Sequence, residues 1–117
     1  MKDITRRSTF MYLLENQAGT PVVRVRGEVD ITTAGKFRNS LTAALEHADG
    51  RIVVALDECT YFDSTAVGIL IGTQKKVGDR LVVAVPEAGS VRRMLDISGV
   101  SKYVALVRSV DEALATA

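Results

Sequence analysis

The chain has 117 residues, 47% of them apolar and 25% charged, with 15 basic and 14 acidic side chains and a formal net charge of +1. At this length and composition residues 1–117 are expected to fold as one globular domain. So balanced a charge, with no long basic run, gives little electrostatic grip on nucleic acid or an anionic bilayer, and neither is expected as a direct partner.

The apolar stretches fall well short of the roughly 20 residues a membrane helix needs, and Met1–Phe10 lacks a signal-peptide apolar region. A soluble, cytoplasmic protein is expected. One cysteine, Cys59, rules out an internal disulfide, and one histidine, His47, leaves no His/Cys cluster for structural zinc. No metal or other cofactor is expected.

Thr9–Leu14 is apolar with β-formers, and Val22–Arg26 alternates apolar with charged residues, as a strand with one wet face does. Glu15–Pro21, holding Gly19 and Pro21, reads as the hairpin turn between them. From Thr32 or Thr33 the period lengthens. Phe37, Leu41, Ala44, Leu45 and Ala48 share one helical face, and Gly50 stands where a left-handed cap is expected.

Ile52–Leu56 is a continuous apolar run bounded by Arg51 and Asp57, which predicts a strand buried on both faces. A second helix is expected from Asp63 or Ser64 to Gly78, burying Val67, Leu70 and Ile71. Leu81–Val85, closed by Pro86, reads as another buried strand. Ser90 opens a third helix through Val91, Met94, Leu95 and Ile97, capped by Gly99. Tyr103–Val107 is the last strand, and Ser109-Val-Asp-Glu112 has capping-box spacing for a short closing helix. The order ββαβαβαβα predicts an α/β fold. Its mixed sheet has right-handed crossovers after the hairpin and helices packed on at least one face.

No phosphate loop, dinucleotide fingerprint, HExxH or GxSxG motif is present, so no catalytic residues are assigned. The informative segment is Phe62-Asp-Ser-Thr-Ala66, which follows a buried strand and opens a helix. Open α/β sheets commonly hold their functional groups at such a position. Asp63 and Ser64 are also favoured N-caps, and capping is compatible with a functional role. A phosphoryl group on Ser64 would lie at the positive end of the helix dipole, where added negative charge is tolerated.

Gly27-Glu-Val-Asp30, Thr33, Leu56-Asp57, Phe62-Asp-Ser-Thr-Ala-Val-Gly68, Gly78-Asp-Arg-Leu81 and Leu95-Asp-Ile-Ser-Gly99 together resemble the bacterial anti-sigma factor antagonists, which are STAS-domain proteins. The resemblance runs from about Thr9 to the C-terminus. It implies a non-enzymatic module that binds an anti-sigma factor serine kinase and frees its sigma factor. Phosphorylation of the serine after the aspartate, here Ser64, breaks that binding, and a serine phosphatase restores it.

Residue by residue, the resemblance assigns Asp63 and Asp30 to the acids beside the serine and Thr65 to the neighbouring hydroxyl. It implies docking of the kinase on the loop containing Asp30, Thr32 and Thr33, on the Ser64 turn, and on the exposed side of the second helix, with Gly68, Gly72, Lys75 and Lys76 as contacts. Ala66 stands where many members have glycine, and its methyl is expected on the docking surface. A STAS scaffold subunit of a signalling complex or of a lipid transporter is the alternative reading.

Cys59 is expected to be a small buried hydrophobe without reactivity. His47 is expected to be a solvated helix-end side chain, and Arg92 and Arg93 belong to an exposed helix face.

Overall fold

The computed structural model describes residues 10–115. Strands β1 (Met11–Gln17) and β2 (Thr20–Val29) form an antiparallel hairpin, Leu13 opposite Arg24 and Gln17 opposite Thr20. The turn is tighter than the expected Glu15–Pro21, only Ala18 and Gly19 separating the strands. Both have positive φ (55° and 86°), and the Gly19 N–H donates to the Asn16 side chain at 3.0 Å. Positive φ at both central positions matches the right-handed twist of the flanking strands, which therefore continue into the turn. Thr9, the expected start of the first strand, lies outside the described residues.

The remaining elements alternate. Helix α1 spans Ala34–Leu45, β3 Ile52–Phe62, α2 Ser64–Val77, β4 Leu81–Ala84, α3 Ser90–Ser98, β5 Ala105–Val107 and α4 Val110–Ala115. Two 3-10 turns, Gly78–Arg80 and Val100–Lys102, follow α2 and α3. The sheet order is β1-β2-β3-β4-β5, parallel throughout except for the hairpin. The expected mixed α/β sheet and element order are present.

Alternation along β3 divides the interior in two. Ile52, Val54 and Leu56 point into the larger core, with Phe37 and Leu41 of α1, Leu70 of α2 and Leu95 of α3. Val53 and Ala55 point the other way, into a smaller core closed by Ala113 of α4. Three helices thus cover one face and α4 covers part of the other. Phe37 and Phe62 meet edge to face at 5.7 Å, joining the start of α1 to the end of β3.

Several boundaries differ from the sequence-based expectations. Strand β3 runs six residues past Leu56, because parallel pairing with β2 continues through two register shifts as far as Val29 and Phe62. Gly50 does not cap α1, which ends at Leu45 with Glu46 as its cap residue. Gly78 and Gly99 do end their helices with positive φ. Ile97 is 76% exposed and Ile71 only partly buried, since each falls off the stripe that faces the sheet. Strand β5 begins at Ala105, Tyr103 being drawn into the preceding turn. In the closing cap the Glu112 N–H donates to the Ser109 hydroxyl, but the Glu112 carboxylate accepts from the N–H of Arg108, one residue before the usual box position.

Candidate functional site

Parallel neighbours deliver two loops to one end of the sheet. β2 ends at Val29 and β3 at Phe62, directly paired, and the Asp63 N–H donates to the Val29 carbonyl at 3.3 Å. The Asp30–Thr33 loop and the Asp63–Ser64 turn therefore lie side by side.

The first loop is held by its own side chains. The Asp30 carboxylate accepts from the Thr32 hydroxyl at 2.7 Å and from the backbone N–H groups of Thr32 and Thr33 at 2.9 and 3.2 Å. The Thr32 hydroxyl bond, aided by those two N–H groups, keeps the Asp30 carboxyl below its ordinary pKa. Thr33, buried, accepts from the Asp30 N–H and donates its hydroxyl to the Glu28 carbonyl, both at 2.9 Å. Its hydroxyl is thus spent on the loop and makes no cap bond to α1. Ile31, at the tip, is 76% exposed.

In the second turn Asp63 caps α2. Its backbone is extended and its carboxylate accepts from the Ala66 N–H at 3.1 Å. Capping by Asp63 leaves Ser64, the first helical residue, exposed, with its hydroxyl free of the capping role.

Spacing places Thr65, Gly68, Gly72, Lys75 and Lys76 along one side of α2. Gly68, Gly72, Lys75 and Lys76 are exposed, and Thr65 is half-buried. A shallow groove between α1 and α2 is lined by Thr65, Gly68, Gly72, Lys76 and, from α1, Arg38. Lys75 stands beside this groove and does not line it. Arg38 was not singled out from the sequence. The signal was present: it lies four residues after buried Ala34 and three before buried Leu41, at the edge of the core-facing stripe.

Ala66 corrects an expectation. It has no exposed surface and belongs to the larger core, so its methyl points away from the outer face of α2. The reason is periodicity: Ala66 shares its side with Leu70 and Thr73, both buried, whereas Gly68 and Gly72 face out.

Cys59 is buried, as expected. Burial pushes its thiol up to about 11, and the S–H donates to the Tyr61 carbonyl at 3.3 Å. His47 is exposed just past α1, and Arg92 pairs with Asp96 one helical turn on. No helix among the described residues is long and apolar enough to cross a membrane.

Fold and site define a class: a five-stranded mixed α/β domain whose exposed serine opens a helix at the carboxyl end of its central parallel strand. Residues 13–108 match the family model described as "Mlab, STAS domain". The chain belongs to the STAS domain family.

Among its relatives is the anti-sigma F factor antagonist of Paenibacillus polymyxa, 30% identical over 96 residues, covering 78% of this chain and 80% of that protein. The anti-sigma-F factor antagonist RsfB of Mycobacterium tuberculosis is 27% identical over 97 residues, covering 82% and 80%. The crystal structure of an anti-sigma factor antagonist from Mycobacterium paratuberculosis superposes with a TM-score of 0.81 at 27% identity, covering 92% of this chain and 93% of the other. The chain is a regulatory domain of this family and not an enzyme.

Proposed function

We propose that the protein is a cytoplasmic anti-sigma factor antagonist, a single STAS domain over residues 1–117. It binds an anti-sigma factor that is also a serine kinase and so frees the sigma factor. Phosphorylation of Ser64 switches it off, and a serine phosphatase reverses the switch. The observation that carries the reading is the exposed Ser64 hydroxyl at the start of a helix already capped by Asp63, beside the loop tied by Asp30, in a chain similar to named antagonists.

In the switch the kinase transfers the γ-phosphoryl group of ATP to the Ser64 oxygen, with loss of the hydroxyl proton and release of ADP. The added group carries about −1.5 to −2 charge at pH 7. In the free protein the N-terminal dipole of α2 partly offsets that charge, and Ser64 is exposed to solvent. In a docked complex the same group must be desolvated against the partner. A cost of about 3 kcal/mol would weaken affinity more than a hundredfold. Asp30, Thr32, Thr33, Asp63, Thr65, Gly68, Gly72, Lys75 and Lys76 form the contact surface in this reading.

The test is incubation with the partner kinase and ATP, then mass mapping. One phosphoryl group on Ser64 is expected, lost in Ser64→Ala and kept in Thr65→Ala. The partner is identified by capture on immobilised Ser64→Ala protein, and an ATPase of histidine-kinase-like fold is expected. Recovery of a membrane ATPase subunit would instead favour a transporter scaffold, and phosphate on Thr65 or Thr32 would refute the assignment.

A further inference from the structure

Charge is segregated on this molecule. On the sheet face that carries α4, Arg24 pairs with Glu15 and Asp57 at 3.4 and 3.1 Å, and Arg26 with Glu58 at 2.7 Å. Arg92 pairs with Asp96, and Arg108 with Glu87 and Glu112. The α1–α2 surface is different. Neither Ala34–Leu45 nor Ser64–Val77 contains an aspartate or glutamate. Exposed Arg38, Lys75 and Lys76 join none of the ion pairs formed among the described residues.

Arg38 and Lys76 flank the groove from opposite helices, over a floor that includes Gly68 and Gly72. A Cβ at either glycine would meet nothing within 4 Å, so the fold itself does not require glycine there and the floor is open from outside. Glycine is a poorer helix former than alanine, so both positions weaken the helix that holds them.

We propose that the α1–α2 face, with Arg38, Lys75 and Lys76 as its cations, is the surface onto which an acidic segment of the protein partner docks. The proposal rests on the reading that the chain binds an anti-sigma factor, and adds the chemistry of the contact. Unpaired cations around an acid-free groove attract an acidic protein surface and accelerate its encounter, with strong dependence on ionic strength. Glycine at the floor lets the partner's backbone approach closely. Ser64 stands at the other end of the same helix, so its phosphorylation places negative charge in a field that otherwise draws acids in. A protein partner is favoured over nucleic acid because three cations on a chain of net charge +1 give a weak counterion-release term.

The test measures association kinetics of the captured anti-sigma factor with the wild-type protein, with Arg38→Glu/Lys76→Glu, and with the charge-matched control Arg93→Glu/Lys102→Glu. In the control both substituted side chains are exposed and lie outside α1 and α2. At low salt (about 50 mM) the groove variant should associate at least about tenfold more slowly than wild type. The gap should close at about 500 mM, and the control should stay within about twofold. Arg38→Gln/Lys76→Gln should fall in the same direction by less, and circular dichroism should show all variants folded. Equal association rates for the groove variant, or an equal loss in the control, would overturn the proposal while leaving the antagonist reading intact. Tighter binding of a mixed-sequence DNA duplex than of the partner would overturn it too. Absence of binding by the wild-type protein would overturn both.

Discussion

Ala66→Gly tests the direction of one methyl group. In the structure that methyl is fully buried in the larger core with Val67, Ile69 and Leu70, in the first turn of α2. Removing it forfeits the burial of one carbon, about 0.8 kcal/mol. Glycine also adds backbone freedom to the unfolded chain, a further ~0.5–1 kcal/mol so near the helix start. The expected loss is about 1.5 kcal/mol. With an unfolding entropy of about 2.1 cal/mol/K per residue over this chain, the midpoint should fall by roughly 6 °C. Scanning calorimetry and urea denaturation measure the loss, and titration calorimetry with the partner measures docking. Affinity is expected to stay within about twofold, because the methyl does not reach the outer face. An unchanged midpoint together with a tenfold change in affinity would show that the methyl faces the partner, and the reasoning would fail.

Asp63→Ala removes the cap bond to Ala66 and should cost about 1 kcal/mol, read as a fall of roughly 4 °C in melting temperature, with Asp63→Asn nearer wild type. The Asp30 carboxyl is held below its ordinary value by the Thr32 hydroxyl, so its contribution to stability is complete above about pH 4 and is lost as pH falls through its folded pKa. Asp30→Asn should therefore flatten part of the acid limb of a stability-against-pH curve. Cys59, pushed up to about 11 by burial, favours its protonated form in the fold, and stability should decline as pH rises from about 8.5 toward that value. At pH 8 a thiol reagent should label it only upon unfolding, and rapid native-state labelling would contradict the burial. Phosphorylated and unmodified protein should melt within about 2 °C of each other, since the phosphate meets a helix N-terminus and solvent; a larger fall would indicate a folding switch.

Signals carried by neighbouring residues were legible in the sequence. The apolar run Ile52–Leu56 marked a strand buried on both faces, and β3 does divide its side chains between two cores. Asp63-Ser64 marked the start of α2, and Gly78 and Gly99 marked helix ends, because caps depend on backbone groups only a few residues away. The resemblance in Phe62–Gly68 pointed to the right family, and that segment carries both the Asp63 cap of α2 and the exposed Ser64.

Features set by partners distant in the chain were not legible. Strand β3 reaches Phe62 only because β2 runs alongside it, and Gly50 fails as a cap because α1 has already ended at Leu45. The inward turn of Ala66 was not legible in a motif that mixes buried Phe62 and Val67 with exposed Ser64 and Gly68; the helix fixes its angle, and packing against the sheet decides which angle is inside. Arg38 reached the site in the same way, through a groove formed where α1 lies against α2. Sequence alone determined the order of elements, the caps at Asp63, Gly78 and Gly99, and the serine turn, whose energetics are local. Tertiary structure decided strand register, the buried side of α2 and the cations around its open face, because those depend on contacts between segments that no sequence window contains.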